Sequence, residues 1–142
     1  MASTSAGESP RPMADFNRET NVLILPISST ATHYVGWMPV PAVIDQVWFV
    51  AGTKSSDSGR TAKLSTYNDW AHATEPDDTA AEADVDITST LDISTITNGK
   101  MSAMTVSSST NKLRAGQPLV VVYSGTATAL ANAFVVVKWH PV

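Results

Sequence analysis

Two valine-rich segments near the C-terminus constrain the fold more than any other feature of this sequence. Leu119–Tyr123 and Phe134–Trp139 each contain three consecutive valines, and a connection of mostly polar and small residues, 124–132, lies between them. β-Branched and aromatic residues favour strands, so the pattern predicts a long antiparallel hairpin. Consecutive valines place apolar side chains on both faces of a strand. Both segments are therefore expected to be central strands in two packed layers.

Proline and glycine predict where the chain turns around these strands. Gly-Gln-Pro at residues 116–118 supplies the turn into the first valine-rich strand, because glycine tolerates positive φ and proline needs no ladder partner at a strand's first residue. Pro26 restricts the first apolar run, residues 22–27, to a sheet edge or a bulge for the same reason. Pro39 and Pro41 predict a corner at which the chain passes from one sheet to the other.

Length and composition favour a single all-β domain. Of the 142 residues, 43% are apolar and only 15% are charged. A chain of this length buries about 70% of the surface that its unfolded form exposes, which is enough for one core. About eight strands are predicted, near residues 22–27, 34–40, 42–51, 61–67, 84–93, 100–107, 118–123 and 133–139. Eight antiparallel strands in two sheets is the jelly-roll count, with an immunoglobulin-like sandwich as the alternative.

Charge and composition also argue against several classes of function. The formal net charge is −4 and lysine and arginine form no cluster, which argues against nucleic acid as a partner. The absence of cysteine excludes disulfides, thiolate zinc sites and cysteine nucleophiles. No run approaches the roughly 20 apolar residues of a membrane span, and the N-terminus lacks the apolar core of a signal peptide. The sequence therefore predicts a soluble protein without a membrane partner.

The first 21 residues differ in composition from the rest of the chain. They consist largely of small, proline and charged residues, with Met13 and Phe16 as the large apolar side chains next to the domain. Taken alone, residues 1–21 are predicted to be a flexible N-terminal arm, and residues 22–142 the β-sandwich domain. The arm is either an unstructured terminus or a segment that becomes ordered by laying Met13 and Phe16 into a neighbouring subunit or a larger partner.

An Asn-Gly dipeptide at residues 98–99 is the strongest local turn signal in the sequence. A type I′ turn there pairs residues whose numbers sum to 197, which places apolar side chains opposite each other on three rungs. These rungs are Ile96 with Met101, Ile93 with Met104, and Leu91 with Val106. The sequence therefore predicts a second hairpin. Because Ile96 and Ile93 differ in parity, either a bulge intervenes or both faces are partly covered.

Aromatic residues outside the apolar runs are the candidate partner-binding residues. Trp37 follows a glycine, and Trp70 lies in a polar segment close to Tyr67 and His72. Two interpretations of the Tyr67, Trp70 and His72 group are open: a platform for stacking sugars, or an aromatic anchor that packs against a neighbouring subunit or fixes its own loop. The two remaining tryptophans lie within apolar runs and are predicted to be core residues: Trp48 and Trp139.

Candidate catalytic and metal sites are not supported by residue spacing. The three histidines lie in separate segments with no metal-binding spacing. Asp84, Asp86 and Asp92 share one parity, and together with Asp77 and Asp78 they could bind calcium through their oxygens. No glycine-containing loop holds these oxygens in place, so a solvated acidic face is the preferred interpretation. No nucleophile motif or phosphate-binding glycine loop occurs. The sequence predicts no catalytic residue, no metal and no cofactor.

The order of these features resembles that of small structural proteins of tailed bacteriophages, in particular capsid decoration (cement) proteins with a jelly-roll β-sandwich. Residues 41–51, 113–122 and 134–139 carry the resemblance, and with the N-terminal arm they span nearly the whole chain. One position departs from the expected pattern. Where a Gly-Asp-x-Leu sequence is expected before the penultimate strand, this chain has Gly-Gln-Pro-Leu at residues 116–119.

The resemblance implies a non-enzymatic viral structural protein. It implies a homotrimer that binds the major capsid protein on the outside of an icosahedral head and ties neighbouring capsid subunits together. It also implies synthesis in the host cytoplasm and a final location on the capsid exterior of the virion. The alternative is a carbohydrate-binding or adhesion module, of the head-fibre or receptor-binding type, built on Tyr67, Trp70 and His72. An enzyme of the cupin kind would need a His and carboxylate cluster that the spacing does not offer.

Overall fold

The computed structural model describes residues 21–67 and 85–142. Within these ranges the chain forms ten β-strands and no helix, and every strand pairing is antiparallel. The strands are β1 (Asn21–Pro26), β2 (His33–Trp37), β3 (Ala42–Thr53), β4 (Thr61–Thr66), β5 (Val85–Asp86), β6 (Leu91–Asp92), β7 (Ser102–Met104), β8 (Lys112–Leu113), β9 (Pro118–Tyr123) and β10 (Ala131–Pro141). The prediction of an all-β sandwich is confirmed.

Two sheets face each other across the core. The first sheet has the order β1-β10-β3-β7, with β8 also paired to β3. The second sheet has the order β2-β9-β4-β5, with β6 also paired to β4. Pro26 ends β1, which is an edge strand as its proline predicts. The chain crosses from β2 in the second sheet to β3 in the first through residues 38–41, so the predicted proline corner is also confirmed.

The predicted C-terminal hairpin is wrong. β9 pairs with β2 and β4 in the second sheet, whereas β10 pairs with β1 and β3 in the first. The connection between them crosses the end of the sandwich, where the Ala127 N–H donates to the Thr30 carbonyl at 2.8 Å. Each strand carries apolar side chains on both faces, so each is placed in the interior of its own sheet. The prediction of central strands in two layers is thus confirmed, but the pairing between them is not.

The predicted Asn-Gly hairpin is also wrong. The chain turns at these residues, but a type I′ turn needs positive φ at both of them, and Asn98 does not have it. Gly99 has a φ of 79°, which glycine adopts without strain. Met104 pairs with Val47 in the first sheet, while Leu91 pairs with Ala62 in the second. The intervening residues Ile93 and Ile96 are buried in the core, so the chain bends over the end of the sandwich instead of continuing as a strand. The two segments meet only farther from the turn, at one bridge between residues 88 and 106.

The strand predicted over residues 84–93 is broken in the middle. Both the Ile87 and Thr88 N–H groups donate to the Leu64 carbonyl, at 2.8 and 3.1 Å. This irregularity turns the Ile87 side chain into the core and divides the segment into β5 and β6. The strand predicted over residues 100–107 is likewise reduced to β7. These changes, together with the short β8, raise the count from about eight strands to ten.

Large aliphatic and aromatic side chains from both sheets fill the space between them. Phe49 and Ile44 project from β3, Leu64 from β4, and Leu119 and Val121 from β9, and all are almost fully buried. Complete burial of such a side chain contributes about 1.5–3 kcal/mol. Trp139 belongs to this core as predicted.

The first sheet is apolar on its outer face as well. Alternation along β3 and β10 turns Phe49 and Val135 inward and their neighbours outward. Trp48 is therefore not a core residue between the sheets, and its prediction as one is wrong. We call this surface the outer apolar face, and it is formed by two rows of side chains in register across β1, β10 and β3: Ile24, Val136 and Trp48, and Pro26, Phe134 and Val50.

Candidate functional site

Three aromatic side chains lie together on the outer side of the second sheet. The rings of Tyr34 and Trp37 are stacked, with centroids 6.1 Å apart and an interplanar angle of 9°. Tyr67 packs against Tyr34 at 6.0 Å and 59°, and the Tyr34 hydroxyl donates to the Tyr67 hydroxyl at 3.1 Å. The indole of Trp37 remains 48% exposed. We call these three residues the aromatic cluster.

An irregularity in β2 places two of these rings on the same face. In a regular strand residues three apart point to opposite faces. Here the register with β9 shifts between Tyr34 and Gly36, so that Tyr34 lies opposite Val120 and Trp37 opposite Pro118. A Cβ at Gly36 would lie 2.8 Å from the Leu25 side chain, so only glycine allows this close approach without displacing the core. The bulge therefore directs Trp37 outward beside Tyr34.

A buried glutamine holds the third aromatic residue in position. Gln117 is only 5% exposed and lies at the turn before β9. Its Nε2 donates to the Tyr67 carbonyl at 2.7 Å, and its Oε1 accepts the Arg114 N–H at 2.8 Å. One amide thus fixes both the start of β9 and the residue that follows β4. Gly116, with a φ of 82°, makes the predicted turn that brings this side chain inward.

A polar group continues the outer surface of the second sheet beyond the cluster. Register across β2, β9, β4 and β5 aligns Tyr34, Val120, Ser65 and Asp86 in one row. The Asp86 carboxylate accepts from the Ser65 hydroxyl at 2.9 Å and from the Lys63 ammonium at 3.1 Å. Val120 is fully buried although it points away from the space between the sheets. The surface is therefore aromatic at one side and charged, with both signs, at the other.

The structure brings together some of the predicted partner-binding residues. Trp37 and Tyr67 lie far apart in sequence, and Tyr34 joins them into one cluster. The other predicted partner-binding residues lie outside the described ranges: Met13, Phe16, Trp70 and His72.

Two residues of this site were not predicted. Tyr34 lies in a strand whose alternation alone does not place it beside Trp37. Gln117 was noted only as a departure from an expected sequence. The glycine at position 36 is the available signal, since a glycine inside a strand often marks a bulge.

Several ionisable side chains within residues 21–67 and 85–142 make structural contacts, and none of the described groups forms a metal site. No three His, Cys, Asp or Glu side chains of these ranges are arranged so that they could hold a metal ion. His33 accepts the Ser28 N–H through Nε2 at 3.2 Å, and His140 Nδ1 lies 2.8 Å from the Asp45 carboxylate. Asp86 and Asp92 bind different partners. The other candidate calcium ligands lie outside the described ranges: Asp77, Asp78 and Asp84.

A shallow cleft of about 450 Å³ lies between the β1–β2 connection and the beginning of β10. Its lining consists of residues 27–30 and 130–133, none of which carries an ionisable side chain. Asn132, which belongs to this lining, has a φ of 52°. Ala129, which directly precedes the lining segment 130–133, has a φ of 68°. The cleft offers hydroxyl, amide and backbone groups but no acid or base.

Comparisons with known proteins do not place this chain in a family. It matches no protein-family model, no curated protein and no solved structure. Among the described residues, no helix reaches the length and apolar character needed to cross a membrane. The aromatic cluster is therefore interpreted from its own geometry.

Proposed function

We propose that this protein is a non-enzymatic structural component of a tailed-bacteriophage virion, which binds the outer surface of the icosahedral head and stabilises it across capsid subunit boundaries. The aromatic cluster is the observation that carries the proposal. Tryptophan and tyrosine are enriched among the residues that dominate protein interfaces. Trp37 presents half of its surface to solvent, Tyr34 stacks against it from one side, and Tyr67 packs against Tyr34.

The cluster is rigid in the way that a binding anchor requires. A side chain that is already fixed loses less conformational entropy when it binds. Here stacking fixes the Trp37 ring, a hydroxyl hydrogen bond links the two tyrosines, and Gln117 fixes the Tyr67 backbone. The adjacent Lys63 and Asp86 supply the polar rim that typically surrounds such an anchor.

The strand order supports the jelly-roll part of the proposal. Strands β1 to β4 alternate between the two sheets, and β9 and β10 return as the inner strands of opposite sheets. Double-sheet jelly rolls combine two Greek keys in a sandwich of this kind. In the proposed homotrimer, three linked copies bind the major capsid protein together, which gives an avidity beyond that of any single contact. Because only the assembled head is bound, the head is stabilised by mass action.

The oligomeric state is the first test of this proposal. Light scattering of the purified full-length protein measures its solution mass, and one chain is 15.0 kDa. A mass of three chains is expected for a cement-type homotrimer. A monomer that also fails to bind heads would contradict the proposal.

Head binding is the second test, and it uses expanded heads assembled without this protein by the phage that encodes it. Replacing Trp37 by Ala is expected to weaken binding by about 2 kcal/mol or more, as for other aromatic anchors. Met101→Ala is the matched control, because Met101 is also a large exposed apolar residue but lies away from the cluster. Deleting residues 1–20 is expected to leave the sandwich folded and to weaken attachment. Equal binding by the Trp37→Ala, arm-deleted and wild-type proteins would refute the assignment.

A carbohydrate-binding or adhesion function is the second candidate, because the Tyr34 and Trp37 rings are nearly parallel. Aromatic rings presented in this way can stack against sugars. A glycan array probed with the wild type, Trp37→Ala and Trp70→Ala distinguishes the two functions. The adhesion function requires glycan binding that at least one substitution abolishes, whereas the structural function predicts no glycan binding by any of the three proteins.

A further inference from the structure

The outer apolar face is partly exposed among the described residues, most of all along β1. Ile24 is 63% exposed and its neighbour on β1, Val22, is 57% exposed. Pro26 is exposed as well, Trp48 and Phe134 are partly exposed, and Val50 and Val136 are buried. An antiparallel sheet in water normally carries polar side chains on its outer face. An apolar face of this kind indicates a binding surface.

The edge of the sheet beside this face is also open. The Ile27 N–H donates to the Ala133 carbonyl at 2.9 Å. Along an antiparallel strand, the N–H and C=O groups of successive residues point alternately to the two sides. Those of Leu25 and Leu23 therefore point to β10, and those of Ile24 and Val22 point to the open edge. β1 carries no charged residue that would discourage pairing with another chain. No strand of the described ranges pairs with this edge.

The size of the face fits a short segment better than a second folded copy. Three strands spaced about 4.8 Å apart, with two rows of outward side chains about 7 Å apart, cover roughly 200 Å². A stable complex of two folded proteins buries about 800 Å² on each partner. A segment of five to ten residues, by contrast, would cover the face.

We propose that the N-terminal arm of the same chain, residues 1–20, lies on the outer apolar face, with Phe16 against Trp48 and Met13 towards β7. The arm joins the sheet at Asn21, the first residue of β1. Phe16 is five residues before Asn21 and can reach about 17 Å from it. Trp48 lies two strands across and three residues along from Asn21, roughly 14 Å away.

Covalent attachment and charge favour this occupant. A short tether gives an effective concentration of the order of millimolar, so the chain's own arm outcompetes that of another molecule in dilute solution. Lys138, paired with Val22, is a cationic residue of the sheet at the end where the arm begins. Glu19, two residues before Asn21, brings a carboxylate to the same end. If Met13 and Phe16 also bind the head, head binding has to displace the arm from the outer apolar face.

Cysteine cross-linking of the full-length protein tests this inference, since the wild-type chain has no cysteine. Met13→Cys is combined with Ala103→Cys, on the exposed side of β7 across the face from β1. The matched control combines Met13→Cys with Ala31→Cys, an exposed alanine in the β1–β2 connection outside the outer apolar face. Mild oxidation at micromolar protein is followed by non-reducing mass spectrometry. The pair with Ala103 is expected to form an intramolecular disulfide roughly tenfold faster than the control pair.

A third variant separates docking from chance encounter. Adding Phe16→Asp to the Met13→Cys and Ala103→Cys protein is expected to slow the cross-link to the rate of the control. Equal rates for the two cysteine pairs would refute the inference, because an undocked arm meets both positions alike. Disulfide-linked dimers as the main product would refute it too, since the occupant would then be the arm of another copy. No capsid is needed, so this result is independent of the proposed function.

Discussion

At the scale of single residues, Gln117 shows how one side chain connects the turn before β9 to the aromatic cluster. Its amide accepts from the Arg114 N–H and donates to the Tyr67 carbonyl. An aspartate, which the resemblance led us to expect here, is an acceptor only when ionised and is one methylene shorter. The glutamine is therefore the residue that fits this position, because both hydrogen bonds are formed in a buried site.

Gln117→Glu is expected to lower the free energy of unfolding by about 2–3 kcal/mol at neutral pH, because it buries a carboxylate beside an unpaired carbonyl. Chemical denaturation measures the loss. In acid the protonated carboxyl can donate to the Tyr67 carbonyl again, so the difference from the wild type is expected to shrink. Gln46→Glu, the same change at an exposed position of β3, should alter stability by less than about 0.5 kcal/mol. Equal effects of the two substitutions would contradict the role assigned to Gln117.

At the scale of elements, the break between β5 and β6 is stabilised by a side chain that replaces backbone pairing. The Thr88 hydroxyl accepts the Leu64 N–H at 3.0 Å in a buried position. The Ile87 side chain can enter the core because the chain leaves regular strand geometry at this point. β4 thus remains paired along its length although its neighbour is interrupted.

Thr88→Val keeps the shape of the side chain and removes the acceptor. It is expected to destabilise the protein by about 1–3 kcal/mol, because the Leu64 N–H is then buried without a partner. Thr88→Ser, which retains the hydroxyl, should cost less, and Thr90→Val at an exposed neighbouring position should be nearly neutral. Thermal or denaturant unfolding compares the three variants. A Thr88→Val protein as stable as Thr90→Val would show that the hydroxyl contributes nothing.

At the scale of the whole molecule, two carboxylates connect the loops that close one end of the sandwich. The Asp57 carboxylate binds Thr128 and Arg60. These contacts lower the pKa of Asp57 below its usual 3.8, and the Thr128 hydroxyl makes the largest contribution. Asp92 accepts from the hydroxyl and N–H of Ser94, which lower its pKa in the same way. The Ser94 hydroxyl in turn accepts the Gly59 N–H at 3.2 Å.

These two groups predict a loss of stability in acid. A carboxyl whose pKa is lower in the folded state contributes stability above its unfolded pKa, and this contribution disappears as the pH falls through the folded pKa. The free energy of unfolding should therefore decrease below about pH 4. The double variant Asp57→Asn and Asp92→Asn should show a smaller decrease between about pH 6 and about pH 2.5. An unchanged pH dependence in this variant would show that other groups govern acid sensitivity.

Local sequence determined which segments become strands and where the chain turns. Valine-rich and aromatic runs gave β3, β9 and β10, because branched side chains favour extended backbone whatever they pair with. Pro26 predicted an edge strand and Gly116 a left-handed turn, since each restricts or permits φ at its own position. Apolar side chains on both faces of the two C-terminal strands also predicted two layers. These properties depend on a residue and its immediate neighbours, so sequence alone reveals them.

Only the tertiary structure decided which strands pair and which side chains meet. β9 and β10 follow each other in sequence yet lie in different sheets, and the Asn-Gly turn joins segments that do not form a hairpin. Trp48 faces outward although it lies in an apolar run, and a bulge brings Tyr34 beside Trp37. Pairing and facing depend on the combined burial of side chains far apart in the chain, here Ile93 and Ile96 above all. This combined burial is a property of the whole core, so no single segment of the sequence reveals it.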